Sequence, residues 1–77
     1  MSVLVVLCTC PDEASAARIA HALVEERLAA CVNRVPGVRS TYRWEGSVHE
    51  VNEVMLVIKT AEDQFEALRE RVVALHP

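Results

Sequence analysis

The sequence predicts an α+β fold: an antiparallel sheet with two helices on one face, in the order β-α-β-β-α. Three observations carry this. Residues 3–9 and the middle of 53–59 are apolar at nearly every position and partly β-branched, as buried strands are. Two longer segments repeat their apolar residues at steps of three and four, as helices do. Pro36-Gly37 and Trp44-Glu45-Gly46-Ser47 supply the bend and the turn of a long hairpin between them.

The first strand, residues 3–9, reads as buried on both faces. Thr9-Cys10-Pro11-Asp12 then matches the Ser/Thr-x-x-Asp/Glu pattern that opens a helix, with proline tolerated in the first turn. Ala16, Ile19, Ala20, Leu23, Val24 and Leu28 make one apolar face, while Glu13, Arg18, Glu25 and Glu26 take the other sides. A helix over about 12–29 follows. Residues 31–42 form a second extended segment, in which Pro-Gly marks a bulge or bend. After the turn, residues 53–59 return as the third strand. Thr60-Ala61-Glu62-Asp63 repeats the helix-opening pattern, and Phe65, Leu68, Val72 and Leu75 predict a second helix that His76-Pro77 ends.

That order lacks only a final strand to be the split βαβ unit of ferredoxin-like folds. Two helices cover one face of such a sheet, yet the first and third strands offer apolar side chains to both. Seventy-seven residues make one domain with no third layer, so a second copy of the protein is the expected cover.

Composition narrows the function. The chain is 52% hydrophobic and only 4% aromatic, so its core must be aliphatic. Eleven acidic residues face eight basic ones, and the arginines are dispersed, several beside carboxylates. A nucleic-acid surface shows as clustered Lys/Arg, so that partner is not expected. No apolar run reaches the roughly 18 residues of a membrane span, and residues 1–8 lack the basic flank and cleavage site of a signal peptide. The expectation is a soluble cytoplasmic protein, and its three cysteines are read as reduced thiols. There is no Gly-rich phosphate loop, nucleophile elbow, His-x-x-x-His helix or evident acid–base pair, so no enzyme is expected.

Cys8 and Cys10 are two apart and share a face if the strand persists through Cys10. As thiolates they suit Cu(I); the competing reading makes Cys8 a small buried strand residue and Cys10 a helix-entry residue. Cys31 reads as core packing, and His21 and His49 as solvated. His76 ends a helix, where it meets the carbonyl end of the helix dipole. Tyr42 and Trp44 share a face of the hairpin and read as packing onto a neighbouring subunit rather than as a ligand-contacting pair.

The run Leu28-Ala29-Ala30-Cys31-Val32-Asn33, then Pro36-Gly37, Ser40, Tyr42 and Trp44-Glu45-Gly46, closely resembles the CutA family of divalent-cation tolerance proteins. VLCTCPDE at 6–13 and VMLVIKT at 54–60 extend the resemblance to almost the whole chain. It implies a ferredoxin-like subunit in a tight homotrimer, similar in architecture to the PII signalling proteins, and a part in handling copper and other divalent metal ions. In bacterial members a cysteine ending the first strand and histidines ending the second helix are associated with copper. That pattern carries over onto Cys8 and His76 as metal ligands, whereas a further histidine of the pattern is Leu75 here. Arg34 and Arg43 also depart from the family, as does the sparser acidic stretch 48–53. The resemblance implies a last strand beyond His-Pro, so the chain is expected to be a truncated form whose first strand is an open edge, covered by a neighbouring chain. The alternative function is a PII-like interaction module whose inter-subunit clefts bind a small anion or a partner protein, with Arg43 and Trp44 at the site.

Overall fold

The structure, a computed structural model, describes residues 2–77. Its elements run β1 (Val3–Cys10), α1 (Glu13–Glu25), β2 (Cys31–Trp44), β3 (Ser47–Ala61), one 3-10 turn (Glu62–Gln64) and α2 (Phe65–Leu75). The sheet order is β1-β3-β2 with every pairing antiparallel, so the α+β, ferredoxin-like arrangement predicted from periodicity is the one observed. No helix among the described residues is long and apolar enough to cross a membrane.

The alternation of a strand decides which side chains meet the helices. Val6 lies opposite Ile58, Cys8 opposite Leu56 and Cys10 opposite Val54, and this set turns inward. Ile19 and Leu23 of α1, Leu68 of α2, and Leu56 and Ile58 of β3 are fully buried between sheet and helices. The core is aliphatic, as the composition requires.

The helix ends differ from the sequence expectation. The cap of α1 is Asp12, not Thr9, because β1 stays in its ladder through Cys10. Asp12 Oδ1 accepts the Ser15 backbone N–H at 2.7 Å and the Ser15 hydroxyl at 2.5 Å. The hydroxyl first and the backbone N–H second hold this carboxyl below its ordinary 3.8. Its contribution is therefore present above that value and lost as pH falls through the lower folded one. Asp12→Ala is expected to lower the melting temperature by a few degrees at pH 7. As pH falls through the lowered folded value of this carboxyl the two proteins should converge, and equal melting at pH 7 would show the cap to be idle.

α1 also stops earlier than the apolar spacing suggests. Arg27 adopts a left-handed φ of 61°, Arg27 N–H donates to the Val24 carbonyl at 3.1 Å, and Leu28 N–H donates to that of Leu23 at 2.9 Å. This is a Schellman ending, which folds Leu28 back onto the core and so mimics one more helical repeat. Thr60 likewise caps nothing: it lies in β3, and its hydroxyl donates to the Leu28 carbonyl at 2.7 Å.

The hairpin follows its turn signals. The β2–β3 register shifts between Val35 and Val38, around Pro36-Gly37, and Gly37 has φ 77°. Glu45 and Gly46, with φ 50° and 79°, form the two-residue turn whose twist matches the strands. Beyond the bulge β2 and β3 continue as a ribbon, so β3 starts at Ser47 rather than at residue 53.

The face turned away from the helices carries Val3, Val5 and Leu7, which are 75%, 63% and 64% exposed in the subunit. Cys31, expected in the core, opens onto this side as well. It pairs with Lys59, while the next residue, Val32, takes the inward position opposite Ile58.

Candidate metal centre

The end of β1 and the end of α2 meet at one corner of the fold. β1 remains extended through Cys10, so Cys8 and Cys10 project from the same face of a strand held in register by β3. Cys10 is 0% exposed and Cys8 partly buried. From the other end of the chain, α2 docks Leu68, Val72 and Leu75 against the core, and this apolar contact aims its last turn at β1. A forked ion pair from Arg71 to Glu26, at 2.8 and 2.9 Å, ties α2 to the end of α1, although its exposure makes it a weak contributor to stability.

His76 follows the last turn of α2 in an extended conformation, its backbone N–H donating to the Val72 carbonyl at 2.8 Å. The ring then reaches β1: Nε2 lies 2.6 Å from the carbonyl oxygen of Thr9. A carbonyl only accepts, so Nε2 carries the proton in this contact. Nδ1 lies 3.0 Å from the Pro77 oxygen. One ring nitrogen of His76, the Cys8 sulfur and the Cys10 sulfur all fall within 4.8 Å of one another.

The two thiols stand in surroundings that disfavour their charge. Burial pushes Cys8 up; a contact from Cys10 works against this, and the charge of Glu53 adds to the rise. Cys10 is pushed up to about 11, by burial first, then by Cys8, with smaller contributions from Asp12 and Glu53. Both are therefore protonated thiols at neutral pH, poor nucleophiles that must each lose a proton before ligating a metal. Their donor chemistry, two soft sulfurs and an imidazole, fits a thiophilic cation and not a hard one. A metal taking Nε2 would also displace the proton that now bonds to Thr9.

The sequence-assigned ligands, Cys8 and His76, are thus brought together. Cys10, set aside as a helix-entry residue, joins them. Its signal in the sequence is the two-residue spacing, which counts only if the strand persists through Cys10, as it does here. His21 and His49 are exposed and do not belong to this cluster; His49 stacks on Tyr42 with ring centroids 5.6 Å apart.

Comparison with known proteins gives one consistent result. The family model described as CutA1 divalent ion tolerance protein matches residues 4–77. The divalent-cation tolerance protein CutA of Thermus thermophilus is 60% identical over 73 residues, covering 95% of this chain and 71% of that protein. Protein CutA of the mouse is 47% identical over 76 residues, covering 99% of this chain and 43% of its own length. Among solved structures, that of the Thermus thermophilus divalent cation tolerance protein superimposes with a TM-score of 0.95 at 58% identity, over 99% of this chain and 74% of the other. A CutA structure from Xylella fastidiosa also gives 0.95, at 48% identity over 97% and 72%.

Proposed function

The chain belongs to the CutA1 divalent ion tolerance family, and from that premise we propose that it is a cytoplasmic homotrimer that binds copper through Cys8 and His76 and serves the response to metal ions without catalysis. The observation that carries this reading is the meeting of Cys8 and His76, from opposite ends of the chain, with their donor atoms within 4.8 Å. Soft sulfur and imidazole donors suit copper better than they suit magnesium or calcium. Other divalent ions with nitrogen or sulfur preference remain within the reading.

Self-association draws on the outer sheet face. Val3, Val5 and Leu7 stand beside Met55, Val57 and Val35 on the side without helices, a contiguous apolar surface of the kind that marks an interface. The count of three subunits comes from the family resemblance. The PII-like alternative, an anion or partner protein held in a cleft, draws on less. The hollow lined by Glu13, Val32, Asn33, Arg34 and Pro36 has its one arginine already paired with Glu13 at 2.9 Å.

Anaerobic titration of Cu(I) into the wild type and Cys8→Ser tests the metal reading. The variant is expected to bind at least about tenfold more weakly, by loss of a direct ligand. Identical affinities would remove Cys8 from the site.

A further inference from the structure

One donor at the corner is not used by the pairing of Cys8 with His76. Cys10 is 0% exposed and belongs to the apolar core cluster, where a free cysteine ordinarily packs as a small hydrophobe. Packing alone, however, does not require its sulfur to stand within 4.8 Å of two further ligand atoms from two different elements. We propose that Cys10 is the second thiolate of the site, so that Cys8, Cys10 and His76 together hold one Cu(I) ion through two sulfurs and one nitrogen. This rests on the reading of Cys8 and His76 as ligands.

The geometry supports a three-donor centre. With metal–sulfur bonds of about 2.3 Å and metal–nitrogen bonds of about 2.0 Å, donors around one ion lie roughly 3.5–4 Å apart. The observed separations need to close by no more than about an ångström to reach that range. The two sulfurs are preset, because both stand on a strand paired residue by residue with β3, Cys8 with Leu56 and Cys10 with Val54. His76 is the adjustable donor, sitting beyond the last turn of α2.

The same arrangement argues for Cu(I) over divalent ions. Two thiolates make a soft site, and Cu(I) is stable with three ligands or fewer. Zinc is nearly always bound by four ligands in structural sites, and the floor of this corner is apolar core, so a fourth donor would have to come from solvent. On binding, Cys8 and Cys10 each release one proton to solvent and form one sulfur–copper bond. His76 gives up its contact with Thr9 and changes tautomer: the Nε2 proton is exchanged through solvent for one on Nδ1, which faces the Pro77 oxygen, and the freed Nε2 lone pair bonds the copper. Copper stays in the +1 state, and no electron moves.

The test is anaerobic Cu(I) loading of the chain, with copper-edge X-ray absorption to count sulfurs and chelator competition to measure affinity. The wild type is expected to show two sulfurs per copper. Cys10→Ala and the core-filling Cys10→Val are expected to show one, and to bind more than about 100-fold more weakly, beyond the cost of an outer-shell change. One sulfur in the wild type, or unchanged affinity in both variants, overturns the role of Cys10 and leaves that of Cys8 standing. Failure of the wild type to bind Cu(I) overturns the Cys8–His76 reading itself. Should both variants fail to fold, the sulfur count on the wild type still decides.

Discussion

Leu56→Ala is expected to cost about 3–4 kcal/mol of folding free energy, the largest stability loss of any single truncation in the sheet. Leu56 occupies the middle of the central strand, between Cys8 on β1 and Arg34 on β2, and its side chain is 0% exposed beneath the helices. Truncation removes the transfer free energy of three carbons and leaves a cavity. Strands hydrogen-bonded on both sides cannot move in to fill it. A chain of 77 residues buries only about 60% of its unfolded surface, so such a loss is a large part of its total stability. Guanidinium unfolding at one fixed protein concentration measures it, since self-association would make the midpoint concentration-dependent. A loss below about 1 kcal/mol would mean that Leu56 does not anchor the core as its burial indicates.

Leu7→Glu is expected to have the opposite signature: a folded subunit that no longer assembles. Leu7 points away from the helices, is 64% exposed in the subunit and lies opposite Val57, with Val5 beside it on the same face. Within the subunit a carboxylate there stays in water and costs little. In a homotrimer that closes over this face it would be buried against apolar partners in every copy, at several kcal/mol each. Val57 opposite it supplies no counter-charge, whereas Val5 lies opposite Lys59, which would rescue an acid placed there. Size-exclusion chromatography with light scattering should give a trimer for the wild type and a monomer for the variant, with unchanged far-UV circular dichroism. A variant that still elutes as a trimer would place the interface elsewhere and leave this face without its proposed cover.

The contrast between these two substitutions shows how far periodicity reaches. Alternation along β1 distinguishes Cys8 from Leu7 as residues of opposite faces. Which of the two faces the helices cover is set by how α1 leaves the strand. The Asp12–Ser15 cap and the Schellman ending at Arg27 establish that path. The pattern Ser/Thr-x-x-Asp/Glu points to a cap at Thr9, but it also occurs where the threonine belongs to a strand, as here. A chain folded back by a left-handed residue can also keep an apolar side chain in helical step. Cys31 leaves the core expected for it because one register position separates an inward from an outward side chain, and Val32 takes the inward one.

Element order, element type, the bulge at Pro36-Gly37 and the turn at Glu45-Gly46 are local properties, carried by side-chain spacing and by the few residues that accept unusual backbone angles. The two-sided apolar character of β1 is also local, since it follows from the unbroken apolar run at residues 3–8. The corner formed by Cys8, Cys10 and His76 is different. Cys8 and Cys10 are near neighbours in sequence, but whether they share a face depends on β1 holding its ladder through Cys10. His76 reaches them only because α2 packs Leu68, Val72 and Leu75 into the same core from the far end of the chain. That meeting is a long-range contact, and no spacing along the chain encodes it; burial of the α2 apolar face against the sheet decided it.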